Sequence, residues 1–138
     1  MRNRTKAREC ALKILYSVDI RKEPHGEMAQ LFWDEHPVIK NEVREFSTFI
    51  IDGVAKNGAL IDSLISKYAT NWQIQRMPTV DRNILRLATY ELLFADCVPP
   101  KVSINEAIEM AKKYGDKDSG KFINGVLDKI NKSERKKE

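Results

Sequence analysis

Residues 79 to 96 read TVDRNILRLATYELLFAD, and this stretch decides the architecture. Ile84, Leu85, Leu87, Ala88, Leu92, Leu93, Phe94 and Ala95 cover most of the circumference of a helix. A helix that is apolar nearly all round belongs in the centre of a fold, surrounded by other elements. Asp81, Arg82, Arg86 and Thr89 remain as a narrow polar strip. Pro78 introduces the stretch, and Pro99 with Pro100 ends it, since proline cannot donate the amide that a helix interior requires.

What surrounds it reads as more helix. Upstream, Ala7, Cys10, Ala11, Ile14, Leu15 and Val18 recur at i, i+3, i+4, i+7, i+8 and i+11, one face of an amphipathic helix. Lys6 and Lys13 share its opposite face, and Arg4, a turn ahead of the apolar stripe, projects past the end of the bundle. The pattern breaks at Pro24, His25 and Gly26, after which a short segment with Met28, Leu31 and Phe32 runs to Pro37. From Val38 to Tyr68 the pattern passes through Val43, Phe46, Ile50, Val54, Ile61, Leu64 and Ile65. It predicts one long helix or two in sequence, with Gly53 and Gly58 as bends or close-packing points.

Downstream, SINE at residues 103–106 has the form of a capping box, Ser103 and Glu106 satisfying each other's amides. Ile104, Ala107, Ile108 and Ala111 supply a buried face, and Gly115 stands where a left-handed backbone would close the helix. Asp118 or Ser119 can cap a last helix carrying Phe122, Ile123, Val126, Leu127 and Ile130. The expectation is an all-α fold of about seven helices, a compact single domain over residues 1–138, with a frayed basic tail over about 132–138.

Gly115 to Lys121, GDKDSGK, also completes G-x-x-x-x-G-K. A phosphate-binding loop needs a Ser or Thr next to ligate Mg²⁺ and a strand leading in. Phe122 follows the lysine and a helix precedes the glycine, so nucleotide hydrolysis is not expected. No G-x-S-x-G or H-E-x-x-H occurs, and His25 and His36 lie in proline-flanked loops without metal-ligand spacing. No catalytic residue, metal or cofactor is expected. Cys10 and Cys97 fall within apolar helical patterns and read as reduced core residues.

With 42% hydrophobic and 32% charged residues, the 138-residue chain can bury one core. Its apolar runs fall far short of the roughly 20 residues that span a bilayer. Lys13 and Asp19 interrupt any secretory signal, and Glu9 argues against an organellar presequence, so a cytoplasmic location and no membrane contact are expected. Charge is uneven. Residues 1–22 carry seven Lys or Arg against two acids, a net +5; residues 129–138 carry a net +3, and the body between carries −4. Clustered cations of this kind point to a localised polyanion site. Arg2, Arg4, Lys6 and Arg8 offer phosphate contacts, while Tyr16, Tyr114 and Phe122 are either base-stacking platforms or packed edge aromatics.

Three blocks then converge: ARECALKILYS at 7–17, DRNILRLATYEL at 81–92, and VPPKVSINEAIEMAKKYG followed by KFINGVLDKI. At this spacing, across essentially the whole chain, they resemble the NusB-like family of bacterial transcription antitermination factors; residues 21–75 match mainly in helical pattern. The resemblance implies two small helical bundles packed together. It also implies binding of the boxA element of nascent RNA, notably ribosomal RNA, with NusE, itself a small-subunit ribosomal protein, in a complex with other Nus factors on RNA polymerase. By position, the implied RNA surface is Arg2, Arg4, Lys6 and Arg8 with Tyr16, Tyr114, Asp118, Lys121 and Phe122. Tyr16 and Asp81 are the implied NusE contacts, Asp81 being equally suited to the N-terminus of its own helix. The N-terminal cations are interspersed, RNRTKAR, unlike a compact arginine cluster.

Two other readings stand beside it. NusB-like domains also precede the catalytic domain of certain RNA cytosine methyltransferases, and for a chain ending at Glu138 no methyl transfer is expected. A helical protein scaffold without sequence-specific RNA binding is the alternative, and a homodimer that hides the RNA face in the free protein is conceivable.

Overall fold

The computed structural model describes residues 2–135. Seven α-helices follow one another among them: α1 (Asn3–Arg21), α2 (His25–Glu35), α3 (Asn41–Lys56), α4 (Gly58–Tyr68), α5 (Thr79–Phe94), α6 (Pro100–Tyr114) and α7 (Ser119–Glu134), with a 3₁₀ turn at Ile74–Arg76. No strand occurs among the described residues. α1, α2 and α3 pack together as one small bundle, while α4, α6 and α7 form a second. α5 is common to both, touching α1 and α3 on one side and α4, α6 and α7 on the other. Ile84, Leu85, Leu87 and Ala88 are fully buried there, each large side chain contributing about 1.5–3 kcal/mol by leaving water.

The stretch from Val38 to Tyr68 resolves into two helices. Asn57 breaks it, with both its backbone amide and its Nδ2 donating to Gly53 O, at 3.0 and 2.9 Å. Gly53 is a close-packing point: a Cβ there would lie 1.9 Å from Tyr90 Cζ, inside the ring. Gly58 faces open space at the head of α4.

Several local expectations are corrected by contacts made between elements. The SINE segment is not a capping box. Proline suits the first turn of a helix, and α6 already begins at Pro100, so Ser103 lies inside it and donates to Glu91 Oε1 at 3.0 Å. Glu106 accepts from Thr5 Oγ1 at 2.6 Å and Arg8 Nη1 at 3.3 Å. Gly115 is not left-handed, with φ −94° and ψ −170°. Glycine is needed for space, since a Cβ would stand 2.6 Å from Ser119 Oγ and 2.9 Å from Ala111 O. Neither Asp118 nor Ser119 caps α7 through its side chain; Ser119 Oγ instead accepts from the Asp116 amide at 3.1 Å and donates to Asp81 Oδ1 at 2.8 Å.

Cys10 is buried, and burial pushes its thiol up. Cys97 is exposed in the turn after α5, not in the core, because the helix has already ended at Phe94. Residues 132–134 are helical, and Glu134 accepts hydrogen bonds from Tyr68 and Lys67. Arg135 follows the helix as the last described residue, and residues 136–138 of the expected tail lie outside the described residues.

The polar strip of α5 turns inward. Arg82 donates twice to Asp19, at 2.6 and 2.9 Å, and Arg86 bridges Asp19 at 3.0 Å to Asp62 at 2.8 and 3.0 Å. These bonds clamp α1 and α4 onto α5. Thr89 is fully buried, and its hydroxyl has no hydrogen-bond partner.

Candidate nucleic-acid interface

At about 100° per residue, Lys6, Lys13 and Tyr16 fall within an arc of about 80° on α1, whereas Arg4 and Arg8 point to the other side, where Arg2, ahead of the helix, lines the same cleft. The structure divides the basic run accordingly. Arg8 is only 2% exposed, and its Nε and Nη2 both donate to Glu91 at 2.8 Å, with Glu91 itself 0% exposed. Its fork is therefore spent inside the protein, and Arg8 is withdrawn from the expected phosphate surface. Arg4 is exposed but lies over the Phe46 ring, 4.7 Å from its centroid, with Nη2 4.0 Å from Cys97 Sγ. That places it beside α3 and the α5–α6 turn, in one cleft with Arg2 and Arg8 and on the opposite face of α1 from Lys6 and Lys13.

The outer ridge of α1 meets the end of α6. Glu9 accepts from the Tyr114 hydroxyl at 2.8 Å and from Lys113 Nζ at 3.0 and 3.2 Å. Burial pushes the Glu9 carboxyl up, but the bonds from Tyr114 and Lys113 and the nearby Lys13 charge outweigh it, leaving it below the usual carboxylate range. Burial and the Glu9 bond together push the Tyr114 hydroxyl up. Lys113 and Lys13 stand over the Tyr114 ring at 5.3 and 5.9 Å. Tyr114 is thus a fixed, half-buried ring between two ammonium groups, suited to hold a base while the ammoniums meet its phosphate.

The turn after Tyr114 leads straight to Asp118, Lys121 and Phe122. Asp118 and Lys121 are exposed, and Phe122 is half-buried against Trp72, ring centroids 5.2 Å apart and planes 62° apart. Beneath them Ser119 pins the start of α7 to Asp81. Asp81 is 2% exposed, so it does not stand on the surface to meet a partner's cation as expected; it supports the turn from within. Burial pushes its carboxyl up, the Ser119 bond opposes this, and the Asp116 charge adds to it. Tyr16, at 40% exposure, remains available on the α1 ridge.

Lys113 and Trp72 escaped the sequence reading of the site, and Lys13 was placed only on an outer helix face. The seven-residue spacing of Lys6 and Lys13 could have recruited Lys13. Nothing local marks Lys113 or Trp72, because their places depend on where α6 and α7 end. No group of three or more His, Cys, Asp or Glu among the described residues is arranged to hold a metal, and no described helix is long and apolar enough to cross a membrane.

A helical scaffold that sets ammonium groups and aromatic rings on one outer face has the chemistry that polyanion sites use. The chain belongs to the NusB family, whose sequence profile, described as "NusB family", matches residues 5–132. It is 50% identical over 127 residues to a protein of Anaeromyxobacter sp. (strain Fw109-5) named transcription antitermination protein NusB, covering 92% of this chain and 88% of that one. Among solved structures it is similar to NusB of T. maritima, with a TM-score of 0.88 and 42% identity over 94% of this chain and 91% of that one. It is equally similar, at a TM-score of 0.88 and 34% identity over 96% of this chain and 98% of the other, to a chain in a crystal structure of antitermination factors NusB and NusE with dsRNA. The family's role, transcription antitermination, is regulatory and not enzymatic.

Proposed function

We propose that the protein works in the cytoplasm as an antitermination factor, binding the boxA element of nascent RNA, especially ribosomal RNA, together with NusE on transcribing RNA polymerase. The observation that carries this reading is the pair of ammonium groups, Lys13 and Lys113, over the Tyr114 ring, with the exposed Lys121 and half-buried Phe122 following one turn of chain later. Arg2, Lys6, Lys13 and Lys121 contact phosphates, Tyr114 and Phe122 hold bases, and Asp118 accepts from a base-edge amino group. Tyr16, on the same ridge, reaches both RNA and NusE. RNA and NusE binding to adjoining surfaces favour one another by linkage.

A labelled boxA-type RNA, compared with a scrambled RNA of equal length, with and without NusE and at two salt concentrations, tests the reading. A preference for boxA, strengthened by NusE, is expected. Four phosphates neutralised on a single strand give a slope of log K against log[salt] of about −3. Equal, weak, salt-insensitive binding to both RNAs in the presence of NusE sinks it and leaves a protein-only scaffold.

A further inference from the structure

Trp72 belongs to no helical stripe. It sits in the loop after α4, where Ile74 and Met77 are buried anchors while Thr70, Asn71, Gln73, Gln75 and Arg76 are exposed. The indole is 38% exposed and meets the Phe122 ring edge-on. Beside it opens a cleft of about 530 Å³ lined by those same polar residues. Between Asp62 and Asp81 the chain has no Asp or Glu, and Arg76 supplies positive charge at the cleft, while Lys67 is paired with Glu134.

We propose that Trp72 and this cleft receive an unpaired nucleotide flanking the RNA element that lies on Phe122, its base on the indole, its edge against the Asn71, Gln73 and Gln75 amides, and its phosphate at Arg76. The inference rests on the RNA reading above and extends its site beyond Phe122. An amide carries both donors and acceptors, so a cleft of amides can pair with the edge of any base, and an aromatic face stacks on every base. No carboxylate lines the cleft, so none of its walls repels a phosphate at Arg76. Because the Trp72 and Phe122 planes are 62° apart, two successive bases lying on them cannot stay stacked on each other. The site therefore takes a splayed single strand and refuses a paired flank.

The test compares a boxA-type core RNA with the same RNA extended by three nucleotides at one end, at the other, and by a paired flank. The single-stranded extension at one end should tighten binding to the wild type about tenfold, and the paired flank should add nothing. Trp72→Ala should abolish that gain, while Trp72→Phe keeps part of it. The chain has two tryptophans, so in a Trp33→Phe background, with folding checked by circular dichroism, the extended RNA should quench the Trp72 emission and the core RNA should not. If the core RNA binds but neither extension helps, or Trp72→Ala keeps the gain, the proposal is overturned while the RNA reading survives. Loss of NusE binding in Trp72→Ala with the RNA gain intact makes the loop a protein contact and also overturns it. Failure of the wild type to bind the core RNA overturns both.

Discussion

Arg8 and Lys13 are five residues apart on the same helix, carry the same charge, and live in opposite environments. Arg8 is enclosed by α5 and α6, giving two parallel bonds to a fully buried Glu91 whose other contact is the Ser103 hydroxyl. Lys13 stands exposed above the Tyr114 ring. The planar guanidinium suits the inner site because its fork matches a carboxylate and it is weakly hydrated; the compact, strongly hydrated ammonium suits the outer one. Charge on the inner face of α1 thus holds the two bundles in register, and charge on the outer face is left for a ligand. A count of basic residues cannot separate these uses, whereas helical phase can.

Breaking the inner pair should have the largest effect. Arg8→Ala leaves Glu91 buried without its cation and should cost about 3–5 kcal/mol of stability, seen as a lowered urea midpoint. Replacing Arg8 and Glu91 together by Met should recover most of that loss, since two apolar side chains leave no buried charge unpaired. No recovery in the double variant would show that the pair is not what Arg8 contributes.

Next comes Asp19, which ties the far end of α1 to α5. Burial pushes its carboxyl up, but hydrogen bonds from Arg82 and Asn83 and the Arg86 charge more than reverse this, so it titrates below the usual range. A depressed pKa contributes stability that is present above the unfolded value, about 3.9, and lost as pH falls from there through the folded pKa. Asp19→Asn should therefore cost about 2 kcal/mol at pH 7, with the gap to the wild type closing as the solution is taken below about pH 4. A gap that stays constant with pH would mean that shape, not charge, matters at this position.

On the outer face the expectation reverses, with binding affected and stability spared. Lys121→Glu should weaken boxA-type RNA about tenfold, or about 1.4 kcal/mol, flatten the salt slope by about 0.7, and leave the urea midpoint unchanged. Unaltered RNA binding would remove the start of α7 from the interface. Glu9→Gln should have the smallest effect and the opposite sign: with one negative charge gone from the ridge, RNA should bind about twofold more tightly. Weaker binding would show that Glu9 acts mainly by holding Tyr114 and Lys113 in place.

The sequence by itself determined the helices and the position of the central one. Both follow from short-range periodicity: the encircling apolar pattern of residues 84–95 and the stripe of Ala7, Cys10, Ala11, Ile14 and Leu15 require burial whatever their neighbours are. The division of Val38–Tyr68 stayed open in the pattern and was settled by Asn57 folding back on Gly53. Family blocks located Tyr16, Tyr114, Asp118, Lys121 and Phe122, and the spacing of Lys6 and Lys13 marked the outer face of α1.

Tertiary structure alone decided which polar groups reach solvent. Ser103, Glu106, Ser119 and Asp81 all look like local caps or surface charges in one dimension, yet each is consumed by a residue far along the chain. The same holds for Arg8, which hydrogen-bonds a residue 83 positions away, and for the placing of Trp72 against Phe122. The physical reason is that apolar burial is nearly indifferent to partner and so can be read from pattern. A buried polar group must find a specific, correctly oriented partner, and that partner is chosen only when the helices meet.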